Sequence, residues 1–193
     1  GSYSSKRTFI AFLSSFIMQS THEFIAAQKD RFLAELLDLL RIPSVSADPA
    51  YAGDVRKAAE WVADNLRKAG ADHVRLEETP GFPIIYGEKM VDPAAPTVLV
   101  YGHYDVQPPD PLELWKSEPF TPTVKDGKVY ARGSADDKGQ AYIHVKSVEA
   151  LLKTTGKLPV NVKFILLTPS IQVASHYVVS IPAVTPILNF PSG

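Results

Sequence analysis

Two short apolar runs, rich in β-branched residues, constrain this chain more than any other feature. Thr97-Val98-Leu99-Val100-Tyr101 lies between Pro96 and Gly102. Val160 to Leu167 is a second such run. Runs of this length and composition read as strands buried on both faces, and the first reads as a central strand. Between them, from Asp137 to Lys153, Ala141, Val145, Val148 and Leu152 recur at helical spacing and the pattern ends at Gly156. Upstream, Phe24, Ile25, Phe32, Leu33, Leu36, Leu37 and Leu40 predict a helix capped by Thr21 and stopped by Pro43. Val55, Ala58, Ala59, Val62, Leu66 and Ala69 predict another, capped by Asp54 and closed by Gly70. His73–Glu77, Ile84–Tyr86 and Val129–Ala131 are short strand candidates. Helices alternating with apolar strands imply a three-layer α/β/α sheet.

Chemistry gathers where such strands end, because open α/β sheets hold ligands beyond their carboxyl edges. Thr97–Tyr101 runs into Gly102-His103-Tyr104-Asp105, so a rigid strand delivers His103 to that edge. Asp105 is two residues on, within reach of the imidazole, as the carboxylate behind a metal-bound histidine usually is. Arg132-Gly133-Ser134-Ala135-Asp136-Asp137-Lys138-Gly139 joins a short strand to a helix and sets two acids at its N-terminus, where the dipole favours negative charge. A satisfied His–Asp pair and an acidic helix cap are the plain alternatives. The chain has no cysteine, which excludes disulfides and thiolate sites and leaves imidazole and carboxylate as metal donors, a mix suited to zinc, manganese or cobalt. His22, His73 and His144 read as solvated or packing residues, Trp115 and Phe120 as core or loop packing, and Tyr142 and Lys138 as helix surface or cap.

Charge is spread unevenly. Lys and Arg number 20 against 21 Asp and Glu, so the near-zero balance gives no electrostatic case for a nucleic-acid partner. No charged residue follows Lys163 and none lies between Arg7 and Glu23. Gly1-Ser2 has the form of a tag-cleavage scar. Lys6-Arg7 and the apolar stretch to Met18 have signal-peptide form, but the stretch is too short to span a bilayer and lacks a clear cleavage site. Sequence translated ahead of a start at Met18, and an ordinary buried or partner-binding segment, are equally open readings. The expected location is cytoplasmic, or exported if residues 6–18 act as a signal, with no membrane contact in the mature form.

Val98 to Pro108, with its Tyr101-Gly102-His103-Tyr104-Asp105-Val106-Gln107-Pro108 core, resembles the first metal motif of the di-zinc aminoacylase/carnosinase-type metallopeptidases. Trp115, Glu118-Pro119-Phe120, Asp126-Gly127 and Tyr130 to Gly139 continue the likeness in order, and Arg41-Ile42-Pro43-Ser44-Val45-Ser46 is similar to the family's N-terminal signature. The wording is nearest the dipeptidase branch. The resemblance implies a zinc-exopeptidase-type sheet, two zinc ions and a small peptide substrate. It implies that His103 ligates one ion, Asp136 bridges both, Asp105 orients His103, the peptide after Asp136 is cis and Asp137 is structural. It further implies the family's mechanism, in which a water acidified by both metals attacks the scissile carbonyl while a glutamate takes its proton.

The expected divisions are residues 1–20, a scar and apolar segment; 21–165, the N-terminal part of the catalytic domain; and 166–193, a charge-free tail. In the family, the strand matching Val160–Ile165 leads into a run of glutamates, whereas here Leu166-Leu167-Thr168-Pro169-Ser170 follows. His176 lacks ligand spacing. The expectation is a truncated fold with little or no activity by itself, inclined to self-associate through exposed sheet edges. The competing expectation is a non-catalytic α/β scaffold or interaction module without metal.

Overall fold

The computed structural model describes residues 18–168. The apolar N-terminal stretch through residue 17, His176 and residues 169–193 lie outside them. Residues 18–27 form a helical segment (α1), followed after a turn at Gln28 by α2 (Lys29–Leu40). Thr21 is therefore inside a helix and is not its cap, because Met18 to Ser20 already carry the helical turn; its hydroxyl meets that of Thr154 at 2.8 Å. A single 3-10 turn, Pro49–Tyr51, leads into α3 (Ala52–Ala69). Asp54, expected as the cap of α3, lies in its first turn, and Asp48 caps the preceding turn by accepting from the Ala50 N–H at 2.9 Å. Gly70 closes α3 in the left-handed conformation, φ 97°, as its position predicts.

The main sheet contains β1 (Asp72–Glu77), β2 (Ile84–Lys89), β3 (Thr97–His103) and β6 (Asn161–Leu167), in the order β1-β2-β6-β3. A separate hairpin pairs β4 (Thr123–Lys125) with β5 (Lys128–Tyr130). β6 runs antiparallel to β2 and parallel to β3, so Phe164 stands between Gly87 and Val100 and is fully buried. The expectation of a central, fully buried strand at Thr97–Tyr101 is corrected here. β6 takes the middle, and β3 has no partner on its outer edge among the described residues; Tyr101 is 64% exposed.

Alternation along the strands divides the sheet into two faces. Ile85, Val100, Val162, Phe164 and Leu166 meet α3 and α4 (Lys138–Thr155) in the main core. α3 lies against β1 and β2, α4 against β3, and α2 packs on α3 and α4. The opposite face carries a small cluster of Tyr86, Leu99 and Ile165 beside the Glu88–Lys163 pair. The chain has the α/β fold predicted for it, with β3 and the loop into α4 reaching the same edge.

Candidate metal centre

β3 ends at His103 on the carboxyl edge, level with Leu167 of β6. Gly102 makes this end possible. A Cβ there would stand 2.6 Å from Asp137 Oδ2. The bare glycine lets that carboxylate accept the His103 backbone N–H at 3.0 Å, which ties the start of α4 to the end of β3.

Past His103 the chain is held by the segment after α2. Val45 and Val106 form a parallel bridge, Val106 N–H donates to Ser44 O at 2.9 Å, and the buried Ser44 hydroxyl donates to Tyr104 O at 2.8 Å. Asp105 is thereby fixed in a buried position. Its Oδ1 is 3.2 Å and its backbone O 3.0 Å from His103 Nδ1, and its Oδ2 accepts from the Ser46 hydroxyl. Both groups near Nδ1 are acceptors, so Nδ1 carries the proton. The other ring nitrogen, Nε2, faces outward to Asp136 Oδ1 at 2.9 Å. The Asp136 side chain is 83% exposed, and its peptide bond to Asp137 is cis. Without a metal ion His103 is pushed up to about 9, first by its hydrogen bond to Asp105, against the opposing effect of burial, and then by Asp136.

The structure thus brings His103, Asp105 and Asp136 together. An imidazole nitrogen and a carboxylate oxygen facing each other, with a carboxylate behind the imidazole, are donor chemistry that zinc accepts. Zinc generally takes three or four protein ligands, and among the described residues no group of three or more His, Cys, Asp or Glu is placed to hold an ion. The described residues fit part of a metal site.

Two residues at the site have roles that the sequence reading misses. Lys138, read as helix surface or cap, is 1% exposed, and its Nζ donates to Leu39 O at 3.1 Å and Ile42 O at 2.6 Å. Burial holds its amine down at about 7. A lysine in the first turn of a helix opposes the dipole, and that misfit was the available signal that it is engaged elsewhere. Ser46 belongs to a recognisable motif, but nothing in the sequence pairs it with Asp105. Tyr142 is also buried rather than on the helix surface, because its hydroxyl reaches Glu35 on α2. Trp115 packs within its loop as expected, its Nε1 donating to Pro109 O at 2.6 Å and Arg132 lying over its ring at 5.2 Å. His22, His73 and His144 are exposed.

A mixed sheet thus carries an oriented histidine at its carboxyl edge, facing a carboxylate just before the next helix, which is where α/β sheets hold ligands. Residues 99–168 match Peptidase family M20/M25/M40, in keeping with the resemblance read from the sequence. It is 37% identical over 158 residues to the Cys-Gly metallodipeptidase of Candida albicans, covering 75% of this chain and 33% of that protein. It is 35% identical over 161 residues to the Beta-Ala-His dipeptidase of Rattus norvegicus, covering 77% and 33%. The crystal structure of human carnosine dipeptidase 1 superposes with a TM-score of 0.71 at 31% identity, covering 78% of this chain and 34% of that one. The chain spans about a third of the length of the curated relatives it matches.

Proposed function

We propose that this chain forms part of a metal-dependent dipeptidase that hydrolyses the peptide bond of a small peptide. His103 and Asp136 would be the zinc donors, and Asp105 the carboxylate that orients His103. The observation that carries the reading is the paired engagement of the His103 ring, Nδ1 on Asp105 and Nε2 on Asp136. Likeness to proteins named for Cys-Gly and Beta-Ala-His dipeptides supports a dipeptide substrate. Zinc bound there supplies an acidified water and a Lewis acid for the scissile carbonyl. Asp105 would keep the ring proton on Nδ1, so that an ion entering the site would displace only the Nε2 proton to reach that lone pair. The exposed Asp136 carboxylate keeps the site open to solvent and substrate.

The two donors among the described residues make a weak site, so zinc is expected to bind loosely and hydrolysis to be slow. Zinc uptake after equilibrium dialysis, measured by elemental analysis, should fall to background in the His103→Ala chain. Equal uptake by both chains would overturn the assignment. Fast, chelator-sensitive dipeptide hydrolysis would overturn the expectation of slow turnover. The second reading, a scaffold without metal, draws on the same shortage of donors among the described residues. Its signature is a wild-type chain that takes up no zinc.

A further inference from the structure

We propose that Ser46 is a positioning residue for the metal centre, setting the orientation of His103 through Asp105. The proposal rests on the metal-site reading for its effect on metal binding; its effect on the imidazole stands independently.

The argument begins with the carboxylate. The terminal torsion of an aspartate is broad, so one hydrogen bond to the imidazole does not fix the carboxylate plane. Asp105 is 6% exposed, which leaves little room for water to satisfy its second oxygen. The Ser46 hydroxyl is the donor that oxygen receives. With Oδ2 held by Ser46 and Oδ1 at His103 Nδ1, the carboxylate is fixed at both ends. Removing the hydroxyl would leave a buried acceptor without its donor and free the group to turn from the ring.

Ser46 is held firmly enough to act in this way. The bridge between Val45 and Val106 and the bonds from Ser44 lay the segment alongside residues 104–106. The buried Val45 side chain anchors it. The segment follows α2, and Lys138, two residues beyond Asp136 in sequence, bonds Leu39 O in the helix's last turn and Ile42 O just past its end. These contacts form a closed circuit. It runs from Asp136 through Lys138 to the end of α2, on to Ser46, through Asp105 to His103, and back to Asp136. The two donors are thereby referred to one frame by a part of the chain far from either in sequence.

The test uses the full chain with Ser46→Ala and Ser46→Thr. The first readout needs no metal: the His103 Nδ1–H proton resonance in NMR. It should be downfield and slow to exchange in the wild type, exchange-broadened in Ser46→Ala, and restored in Ser46→Thr. The second readout is Zn²⁺ affinity by titration, which should weaken about tenfold in Ser46→Ala and recover in Ser46→Thr. A purely structural role for Ser46 would lower stability and leave both readouts unmoved. Unchanged resonance and affinity in a folded Ser46→Ala chain would overturn the proposal, and the metal reading would survive if His103→Ala still abolished binding. Loss of the resonance in Ser46→Ala, in a chain that binds no zinc, would uphold the positioning role and overturn the metal reading.

Discussion

Replacing Gly102 by alanine should destabilise the chain by about 3 kcal/mol, through one identifiable contact. The added Cβ would lie 2.6 Å from Asp137 Oδ2, 3.2 Å from Leu166 Cδ2 and 3.4 Å from Ala141 Cβ. The carboxylate has to withdraw, and it is the acceptor of the His103 N–H at 3.0 Å. Losing a hydrogen bond to a charged group costs about 1.5–3 kcal/mol, and Asp137 is only half-buried, which favours the lower end. Crowding against Leu166 and Ala141 adds about 1–3 kcal/mol. Removing a glycine from the unfolded ensemble returns about 0.4–1 kcal/mol. Urea denaturation followed by circular dichroism measures the sum, provided that the slope with denaturant is unchanged. The same substitution in an Asp137→Ala background isolates the contact. There the clashing oxygen is absent, and Gly102→Ala should cost only about 1 kcal/mol, a coupling of about 2 kcal/mol between the sites. Gly53→Ala, with open space at its Cβ position, serves as the control. Equal costs for Gly102→Ala in both backgrounds would refute the reasoning.

Other consequences are testable in the same chain. Lys146 bonds the buried Glu149 at 2.8 Å and the half-buried Glu35 at 2.5 Å, and both carboxylates also pair with Arg31, so Lys146→Met should cost about 1.5–3 kcal/mol by urea denaturation; a loss below about 1 kcal/mol would argue against it. Burial holds Lys138 at about 7 against 10.5 for the ordinary amine. Between those values the unfolded chain binds the extra proton, so this group makes stability rise with pH across that window. The wild-type minus Lys138→Met stability difference should show that rise, and a flat difference would disprove it. The outer edge of β3 and the exposed Tyr101 should promote self-association, visible as a concentration-dependent mass in sedimentation equilibrium; a strict monomer at all concentrations would count against this.

The helices were legible because their signals are local. Apolar spacing and a closing glycine place α3 and α4 within a few residues. The caps were less legible, since Thr21 and Asp54 suit a cap equally well in sequence and the turns preceding them decided otherwise. Strand order was not legible. Val98 to Tyr101 has the composition of a central strand, but position in a sheet depends on which distant segment pairs with it, and β6 takes the middle. At the site, the spacing of His103 and Asp105 at a strand end announces their contact. The convergence of His103 with Asp136 came from family resemblance, and the burial of Lys138 emerged only when α2 was placed over α4.

The position of β6 also bears on how the sheet is assembled. β6 is the last strand in the chain among the described elements, yet it separates β2 from β3. During synthesis, among the described residues, β3 has no sheet partner until residues 161–167 have emerged, and β2 has only β1. The sheet must therefore wait, with apolar strand faces open to water, for its keystone to arrive. Non-local closure of this kind slows folding and prolongs exposure to wrong partners. Hydrogen exchange pulsed along a series of lengthening chains should find β3 unprotected until β6 is present, with α3 able to form well before it.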